Sequence, residues 1–231
     1  LGEIARLLGG GEVGGEVGGE VDGEVDGGVD GGVGGGGQSW SPRPVEVVDA
    51  SSGKQLELRV EVPIEDMARL AGANGEGEAS IWPSIHPRLV ELVRAHRSSM
   101  IFVNNRRLAE RLAAAINETA GETLALAHHG SVAKERRREI EERLKSGLLP
   151  AIVATSSLEL GIDMGAVDLV IQIEAPPSVA SGIQRIGRAG HQVGAPSKGV
   201  IVPKYRGDLL ACAAAVERMM AGQVEATAYL R

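Results

Sequence analysis

The stretch HPRLVELVRAHRSSMIFVNNRRLAERLAAAINE, residues 86–118, reads as a helix, a short strand and a second helix. Apolar residues recur at helical spacing in both outer parts, and Leu108, Leu112 and Ile116 share one face of the second helix. The run SMIFV between them has the length and composition of a strand that is buried on both faces. This order of elements indicates a parallel sheet that is covered by helices.

The same alternation continues along the chain. Further strands are predicted at the short apolar runs LELRVEVP (56–63), TLALAHH (123–129), PAIVAT (150–155), VDLVIQIE (167–174) and KGVIVP (198–203). Helical patterns cover residues 134–147, 178–190 and 208–222. We therefore predict an α/β fold, in which a RecA-like or Rossmann-like parallel sheet carries helices on both faces.

A glycine-rich segment precedes this domain. Over residues 11–37, valine recurs at every fourth position and is separated by glycine and acidic residues. Glycine costs about 1 kcal/mol relative to alanine at each helical position, and no other large side chain in the segment offsets that cost. We therefore predict a disordered, flexible insertion rich in Gly, Glu and Val. A calcium-binding glycine–aspartate repeat is the functional alternative.

The formal net charge of −7 belongs to the glycine-rich end of the chain. Residues 1–37 hold eight acidic residues and one base, Arg6, so the rest of the chain carries equal numbers of acids and bases. A basic face that binds a polyanion is therefore compatible with the acidic total. The single cysteine, Cys212, excludes an internal disulfide and fits the cytoplasm. No apolar run approaches the roughly 20 residues that cross a bilayer, so we expect no membrane partner.

Polar residues follow four of the predicted strands. Ligands of open parallel sheets bind at the carboxyl ends of the strands. Small hydrogen-bonding residues there can hold the phosphate oxygens of a nucleic-acid backbone, although any one of them can instead cap a helix. The residues concerned are Asn104, Asn105 and Arg106, then His128 to Ser131, Thr155 to Ser157 and Glu174 to Pro177. Several such loops on one edge favour a phosphate-binding surface.

The stretch QRIGRAGH, residues 184–191, places two arginines on or at the end of a predicted helix. Arg185 and Arg188 stand at positions i and i+3, which lie on one helical face. Gly187 and Gly190 are poor helix residues and indicate a close approach of the backbone to another surface. The chain has no phosphate loop of the G-x-x-x-x-G-K-[ST] type, so another domain would have to hold a triphosphate and its magnesium.

Together these motifs resemble the second RecA-like domain of superfamily 2 helicases. SMIFVNNRR is similar to motif IV, IVATSSLELGIDMGAVD (152–168) to motif V and QRIGRAGH to motif VI, while AHHGS resembles the next loop along the nucleic-acid strand. ATSSLELGID followed by QRIGRAGH resembles the large helicase-related, or Lhr, family. The resemblance covers about residues 81–221, as the notable motifs occur there in the family's order.

The resemblance also implies how the chain is divided. It makes residues 81–221 the helicase C-terminal, or second RecA-like, domain and 38–80 a connecting segment with strands. It makes residues 1–10 the end of a preceding RecA-like domain and 222–231 the start of a following segment. The low-complexity insertion over residues 11–37 lies between residues 1–10 and the connecting segment.

The resemblance assigns nucleotide contacts to motifs V and VI. Arg188 is similar to the arginine finger that reaches the γ-phosphate of ATP across a cleft, and Gln184 and Arg185 would line that cleft as further catalytic residues. Gly161 and Asp163 would belong to a nucleotide-sensing turn. The implied nucleotide contacts are therefore Gly161, Asp163, Arg188 and His191. His191 stands where many relatives have arginine, which lowers the positive charge expected there at neutral pH.

The resemblance assigns strand contacts to Asn105, Arg106, Gly130, Thr155 and Ser156. It implies the second motor domain of an ATP-dependent 3′–5′ DNA helicase or translocase, acting on single-stranded DNA or a DNA–RNA hybrid in DNA repair. ATP with Mg²⁺ would be bound mainly by a first RecA-like domain, so this chain alone would be inactive. A non-catalytic nucleic-acid-binding module with the helicase fold is the alternative, and a Rossmann-like sugar-nucleotide enzyme is a weaker third interpretation.

Overall fold

The computed structural model describes residues 55–67, 80–158, 167–190 and 196–226, together with the backbone of two short strands. The chain divides into two units, residues 1–52 with 227–231, and residues 53–226. In the first unit, β1 (Gly11–Val13) pairs antiparallel with β2 (Trp40–Pro42). β1 falls inside the insertion that was predicted to be disordered, and the remainder of that insertion lies outside the described residues.

The second unit alternates strands and helices. Its strands are β3 (Leu56–Val60), β4 (Ser99–Phe102), β5 (Ala125–His128), β6 (Ala151–Ala154), β7 (Leu169–Ile173) and β8 (Ser197–Val202). Its helices are α1 (Trp82–Arg94), α2 (Arg106–Ala120), α3 (Lys134–Lys145), α4 (Val179–Ile186) and α5 (Arg206–Met220). A single 3₁₀ turn, Ser156–Leu158, follows β6 among these residues.

The six strands form one parallel sheet in the order β3-β8-β7-β4-β6-β5. β4 lies at its centre, where Phe102 is level with Ala154 of β6 and Gln172 of β7. Because all strands run the same way, the loops after β4, β5, β6 and β7 emerge at one edge of the sheet. This is the edge at which the polar loop residues were predicted to meet.

Two hydrophobic layers cover the sheet, one on each face. Successive residues at the end of β4 supply both layers, with Ile101 and Val103 in one and Met100 and Phe102 in the other. α1 and α2 complete the first layer, and α3, α4 and α5 the second. The predicted fold class, a RecA-like α/β domain with helices on both faces, is confirmed.

The ends of two helices differ from the prediction. α1 begins at Trp82, earlier than the expected start near His86, because Pro83 occupies its first turn, where proline needs no hydrogen-bond partner. α4 ends at Ile186, so Arg188 lies in the turn that follows the helix, two residues after its last residue. Among the described residues, none of the helices is both long and apolar enough to cross a membrane.

Candidate functional site

The carboxyl ends of the strands bring together the residues that were predicted to face a nucleic-acid strand. Asn105 and Arg106 follow β4, Gly130 follows β5, and Thr155 and Ser156 follow β6. These three strands are neighbours in the sheet, with β6 between β4 and β5. The five residues therefore share one stretch of the edge.

Asn105 caps the helix that follows it. Its Oδ1 accepts a hydrogen bond of 2.8 Å from the backbone N–H of Leu108, as the alternative interpretation of these polar residues expected. Arg106 is exposed and donates from Nη1 to the hydroxyl of Ser131, so the loops after β4 and β5 are joined across the edge. A role for either residue in binding a strand stays a prediction.

Gly130 stands in open space. A Cβ added at this position would meet no atom of the described chain within 4 Å, and the φ angle of Gly130 is not in the left-handed region. Within the described part of the chain, neither a steric contact nor a positive φ therefore requires glycine at this position.

The loop after β6 is built on a backbone contact with β5. The N–H of Thr155 donates to the carbonyl of His128 at 3.3 Å, and the N–H of Leu158 donates back to the carbonyl of Thr155 at 3.4 Å. This turn leaves the side chain of Ser156 exposed and covers most of Thr155. Of the two, Ser156 is the one that presents its hydroxyl at the surface.

His128 is a buried residue whose role the sequence did not predict. Its Nδ1 lies 3.1 Å from Oγ of Ser157 and its Nε2 lies 2.8 Å from Oε1 of Glu141. Burial lowers the pKa of His128, and the carboxylate of Glu141 opposes that effect. A neutral ring that donates from Nε2 to Glu141 and accepts from the hydroxyl of Ser157 satisfies both contacts. His128 thus ties the turn after β6 to α3.

His129 makes a similar connection on the other side of the loop. Its Nε2 lies 2.7 Å from Oε1 of Glu110 on α2, and its Nδ1 accepts from the N–H of Ser131 at 3.3 Å. Only the position of the two histidines after a strand was visible in the sequence. Their partners lie on helices that are 13 and 19 residues away along the chain, which no local pattern reports.

Arg185, which was predicted to line a cleft with a second domain, lies inside the described domain. Its side chain is largely buried, with 2% of the residue exposed. Nη1 donates to Oε1 of Gln172 at 2.8 Å and to Oδ1 of Asn104 at 3.0 Å. The guanidinium carbon lies 5.3 Å from the centroid of the Phe102 ring, within the range of a cation–π contact. Arg185 therefore holds α4 against β4 and β7.

Arg188 lies in a turn beyond α4 that is fixed at both ends. Its N–H donates to the carbonyl of Arg185 at 3.1 Å, and the next residue, Ala189, forms a parallel bridge with Val167. Gly190, at φ +72°, donates to the carbonyl of Val167 at 3.1 Å. Arg188 itself is half-buried.

The turn that carries Arg188 is not at the same edge as the strand-end residues. Val167 lies just before β7, so the bridge with Ala189 places this turn near the amino end of that strand. α4 starts at the carboxyl edge and runs back along β7, and Arg188 follows its far end. Gln184 is exposed on the same helix. Gly161, Asp163 and His191 lie outside the described residues.

A polar network at the carboxyl edge joins the loops after β4, β7 and β8. Asn104 donates from Nδ2 to the carbonyl of Ala175 at 3.0 Å and to Oε2 of Glu174 at 3.3 Å, and Glu174 pairs with Lys204. Asp208 accepts from the N–H groups of Ala175 at 3.1 Å and Lys204 at 2.9 Å. Glu174 has φ +66°, a left-handed conformation that is costly for a residue with a side chain.

Asn104 therefore has contacts on two sides. Its amide nitrogen reaches the loop after β7, and its oxygen accepts from Arg185 of α4. It also directly precedes Asn105 and Arg106. The sequence singled out Asn104 only as one of three polar residues after a strand and gave no sign of this connection. Among the described residues, no cluster of three or more His, Cys, Asp or Glu side chains is placed to hold a metal ion.

Comparisons with known proteins agree with this fold. The model of the helicase conserved C-terminal domain family matches residues 85–192. The chain is 50% identical over 215 residues to the Lhr helicase/probable uracil glycosylase of Mycolicibacterium smegmatis, and 46% identical over 222 residues to the Lhr helicase/uracil glycosylase of Escherichia coli. Each match covers 79% of this chain and 14% of the relative, so the chain spans about a seventh of their length.

A solved structure gives the same result. The chain resembles the Mycobacterium smegmatis helicase Lhr bound to ssDNA and AMP-PNP, with 58% identity and a TM-score of 0.69. That match covers 75% of this chain and 22% of the solved chain. The similarity therefore concerns one part of a larger molecule.

Proposed function

Residues 85–192 form a helicase conserved C-terminal domain, the second RecA-like domain of superfamily 2, and this domain is homologous to that of the Lhr helicases. On this premise, we propose that the chain is the second motor domain of an ATP-dependent 3′–5′ DNA helicase or translocase. A first RecA-like domain binds ATP with Mg²⁺, and this domain supplies Arg188 and part of the grip on single-stranded DNA. The setting that we propose is DNA repair in the cytoplasm.

The observation that carries the proposal is the connection between the two ends of α4. The carbonyl of Arg185 accepts a hydrogen bond from the N–H of Arg188, and the Arg185 side chain donates to Asn104. Asn104 directly precedes Asn105 and Arg106 in the sequence. A motor must link the state of its nucleotide to its hold on the strand. A single buried arginine that contacts both segments supports such a link, because packed side chains and hydrogen bonds are what carries coupling between two sites.

The carboxyl edge supports binding of a nucleic-acid backbone. It presents the cation of Arg106, the hydroxyl of Ser156 and the unobstructed backbone of Gly130. Such groups bind phosphate and sugar atoms, which every sequence shares, so they position a strand without reading its bases. Grip of this kind suits a protein that moves along single-stranded DNA, or along one strand of a DNA–RNA hybrid.

Arg188 supplies the charge that ATP hydrolysis requires. A guanidinium is cationic at every physiological pH and suits phosphate oxygens, whereas the acidic ligands that Mg²⁺ needs would come from the first domain. A finger of this kind stabilises charge that develops on the γ-phosphoryl group and contributes roughly 10³ to 10⁵ in rate. The chain by itself would hydrolyse no ATP, since it has no phosphate loop of the G-x-x-x-x-G-K-[ST] type.

The test is the substitution Arg188→Ala in the complete helicase. We expect DNA-stimulated ATP turnover to fall by at least about a hundredfold, a conservative lower bound on the finger effect. Binding of single-stranded DNA should stay near the wild-type affinity, because the strand contacts lie at the other end of α4.

The matched control is Arg94→Ala. Arg94 is an exposed arginine on α1, which packs on the opposite face of the sheet from α4, and it pairs with Glu122 at 2.8 Å. Its loss should leave turnover close to wild type. Turnover of Arg188→Ala that matches this control would remove Arg188 from the mechanism.

A further inference from the structure

The chain after α5 turns back onto the start of α4. Gly222, at φ +66°, closes α5 in the left-handed conformation that glycine tolerates, and the N–H of Gln223 donates to the carbonyl of Arg218 at 2.9 Å. Three residues beyond Gly222, the carboxylate of Glu225 reaches α4. The segment Gln223–Glu225 thus touches the helix that leads to Arg188.

Glu225 completes the hydrogen bonding of the first turn of α4. The N–H groups of Val179, Ala180 and Ser181 have no preceding helical carbonyl to bond. The hydroxyl of Ser178 accepts from Ser181 at 3.0 Å. Glu225 accepts from Val179 on Oε1 at 2.8 Å and from Ala180 on Oε2 at 3.2 Å. Each carboxylate oxygen therefore has its own donor, and a negative charge stands at the positive end of the helix.

The start of α4 packs closely against the end of α5, the helix that leads into this segment. A Cβ added at Gly182 of α4 would lie 2.7 Å from Sδ of Met219 on α5 and 3.0 Å from Cγ of Pro176. Met219 is buried, and it lies three residues before Gly222. The end of α5 and the start of α4 are therefore in van der Waals contact at the point where Glu225 makes its hydrogen bonds.

We propose that Glu225 is a positioning residue for Arg188. By fixing the start of α4, Glu225 holds the turn at the far end of the helix at the distance from the nucleotide that the reaction requires. The inference rests on the proposed function of Arg188 and adds a regulatory contact to it. Because Glu225 belongs to the segment after α5, a pull on that segment is passed to Arg188 through α4.

The length of α4 makes this transmission direct. The helix has eight residues, Val179–Ile186, and Arg188 follows two residues later. The last turn of the helix is held by Arg185, the seventh of its eight residues, so release of the first turn lets the helix tilt about that buried anchor. Displacement of a reacting group by about 1 Å can cost as much as a hundredfold in rate.

The ionised carboxylate is the form that makes both bonds. The N–H of Val179 is the main reason why the pKa of Glu225 is lowered, with further help from Ala180 and the charge of Arg218. Glutamine at this position keeps one acceptor oxygen but turns an NH₂ donor toward the second N–H, so it should retain only part of the effect.

The experiment compares Glu225→Ala, Glu225→Gln and the control Glu217→Ala in the complete helicase. Glu217 is an exposed glutamate of α5. We expect Glu225→Ala to lower kcat for DNA-stimulated ATP turnover by at least about fivefold with little change in KM for ATP, since positioning affects the transition state and not ground-state binding. Glu225→Gln should fall between Glu225→Ala and wild type, and Glu217→Ala should match wild type.

A double substitution separates positioning from general destabilisation. If Glu225 acts through Arg188, adding Glu225→Ala to Arg188→Ala should cause no further loss of kcat. Amide hydrogen exchange of the 231-residue chain gives a second readout, in which Val179 and Ala180 should exchange faster in Glu225→Ala than in wild type. A kcat for Glu225→Ala equal to wild type, a further loss in the double variant, or unchanged exchange would each overturn the inference.

The same measurements distinguish this inference from the proposed function. If Arg188→Ala lowers turnover and Glu225→Ala does not, only the role of Glu225 is wrong. If Arg188→Ala leaves turnover unchanged, the role of Arg188 is wrong, and the positioning role of Glu225 is lost with it.

Discussion

The guanidinium of Arg185 is held by two amide oxygens and an aromatic ring. Gln172, which is 1% exposed, supplies one oxygen and Asn104 the other, and the Phe102 ring lies beneath the charge. A buried charge is tolerated only when hydrogen bonds replace its water shell. At the scale of single residues, Arg185 is therefore a structural cation that joins three segments, whereas the catalytic role of Arg188 is the one that we propose.

This assignment makes a prediction about stability. Arg185→Met removes the charge but keeps most of the apolar stem, and it leaves Oε1 of the buried Gln172 without its charged donor. We expect the free energy of unfolding to fall by about 1–3 kcal/mol, the usual cost of an unsatisfied buried acceptor.

Chemical denaturation of the 231-residue chain measures this effect. The control is Arg107→Met, which changes an exposed arginine of α2 and should shift the free energy of unfolding by less than about 0.5 kcal/mol. Equal stability of the two variants would show that Arg185 is not a structural cation.

The sequence does not indicate that Arg185 is buried. Arg185 and Arg188 belong to one motif and differ in neither charge nor local pattern. The partners of Arg185 are 13 and 81 residues away along the chain, so its burial depends on how β4, β7 and α4 pack. α4 ends at Ile186, so Arg188 lies in the turn beyond the helix.

At the scale of elements, His128 connects β5, α3 and the turn after β6. Burial lowers the pKa of His128, the charge of Arg137 acts in the same direction, and Glu141 opposes both. The folded protein therefore resists protonation more than the unfolded chain does. The resulting stability is present above the unfolded pKa of about 6.5 and is lost as the pH falls below it.

The prediction is a change in the pH dependence of unfolding. Wild type should lose stability between about pH 8 and pH 5.5, and His128→Gln should show a smaller loss, since it removes one group that resists protonation. His86, whose pKa is also lowered by burial, leaves a residual slope in the variant. Urea denaturation at several pH values gives the comparison. An unchanged slope would contradict the burial of a neutral His128.

The elements themselves were largely predictable. Short apolar runs between helical patterns gave β4 to β8 and α2 to α5, because burial on two faces requires such runs. The polar partners of His128 and His129 could not be predicted, since they depend on which helix faces which loop. The predictions on Gly161, Asp163 and His191, and on the glycine-rich insertion beyond β1, concern residues outside those that the structure describes, and they remain predictions.

At the scale of the whole domain, α4 separates two surfaces. Its start lies at the carboxyl edge, where Asn105, Arg106 and Ser156 were predicted to contact a nucleic-acid strand, and its far end leads to Arg188 beside the start of β7. Arg185 and Glu225 hold this helix at two points along its length. In the motor that we propose, a change of nucleotide state at the Arg188 end of α4 is therefore transmitted to the strand-binding end.

The most direct measurement is a structure of the complete helicase with a non-hydrolysable ATP analogue and single-stranded DNA. We expect a guanidinium nitrogen of Arg188 about 2.7–2.9 Å from an oxygen of the γ-phosphate, the length of a charge-assisted hydrogen bond. The strand should lie along Arg106, Gly130 and Ser156 in the same complex. A closed complex in which Arg188 points away from the nucleotide, or in which the strand avoids this edge, would contradict the account.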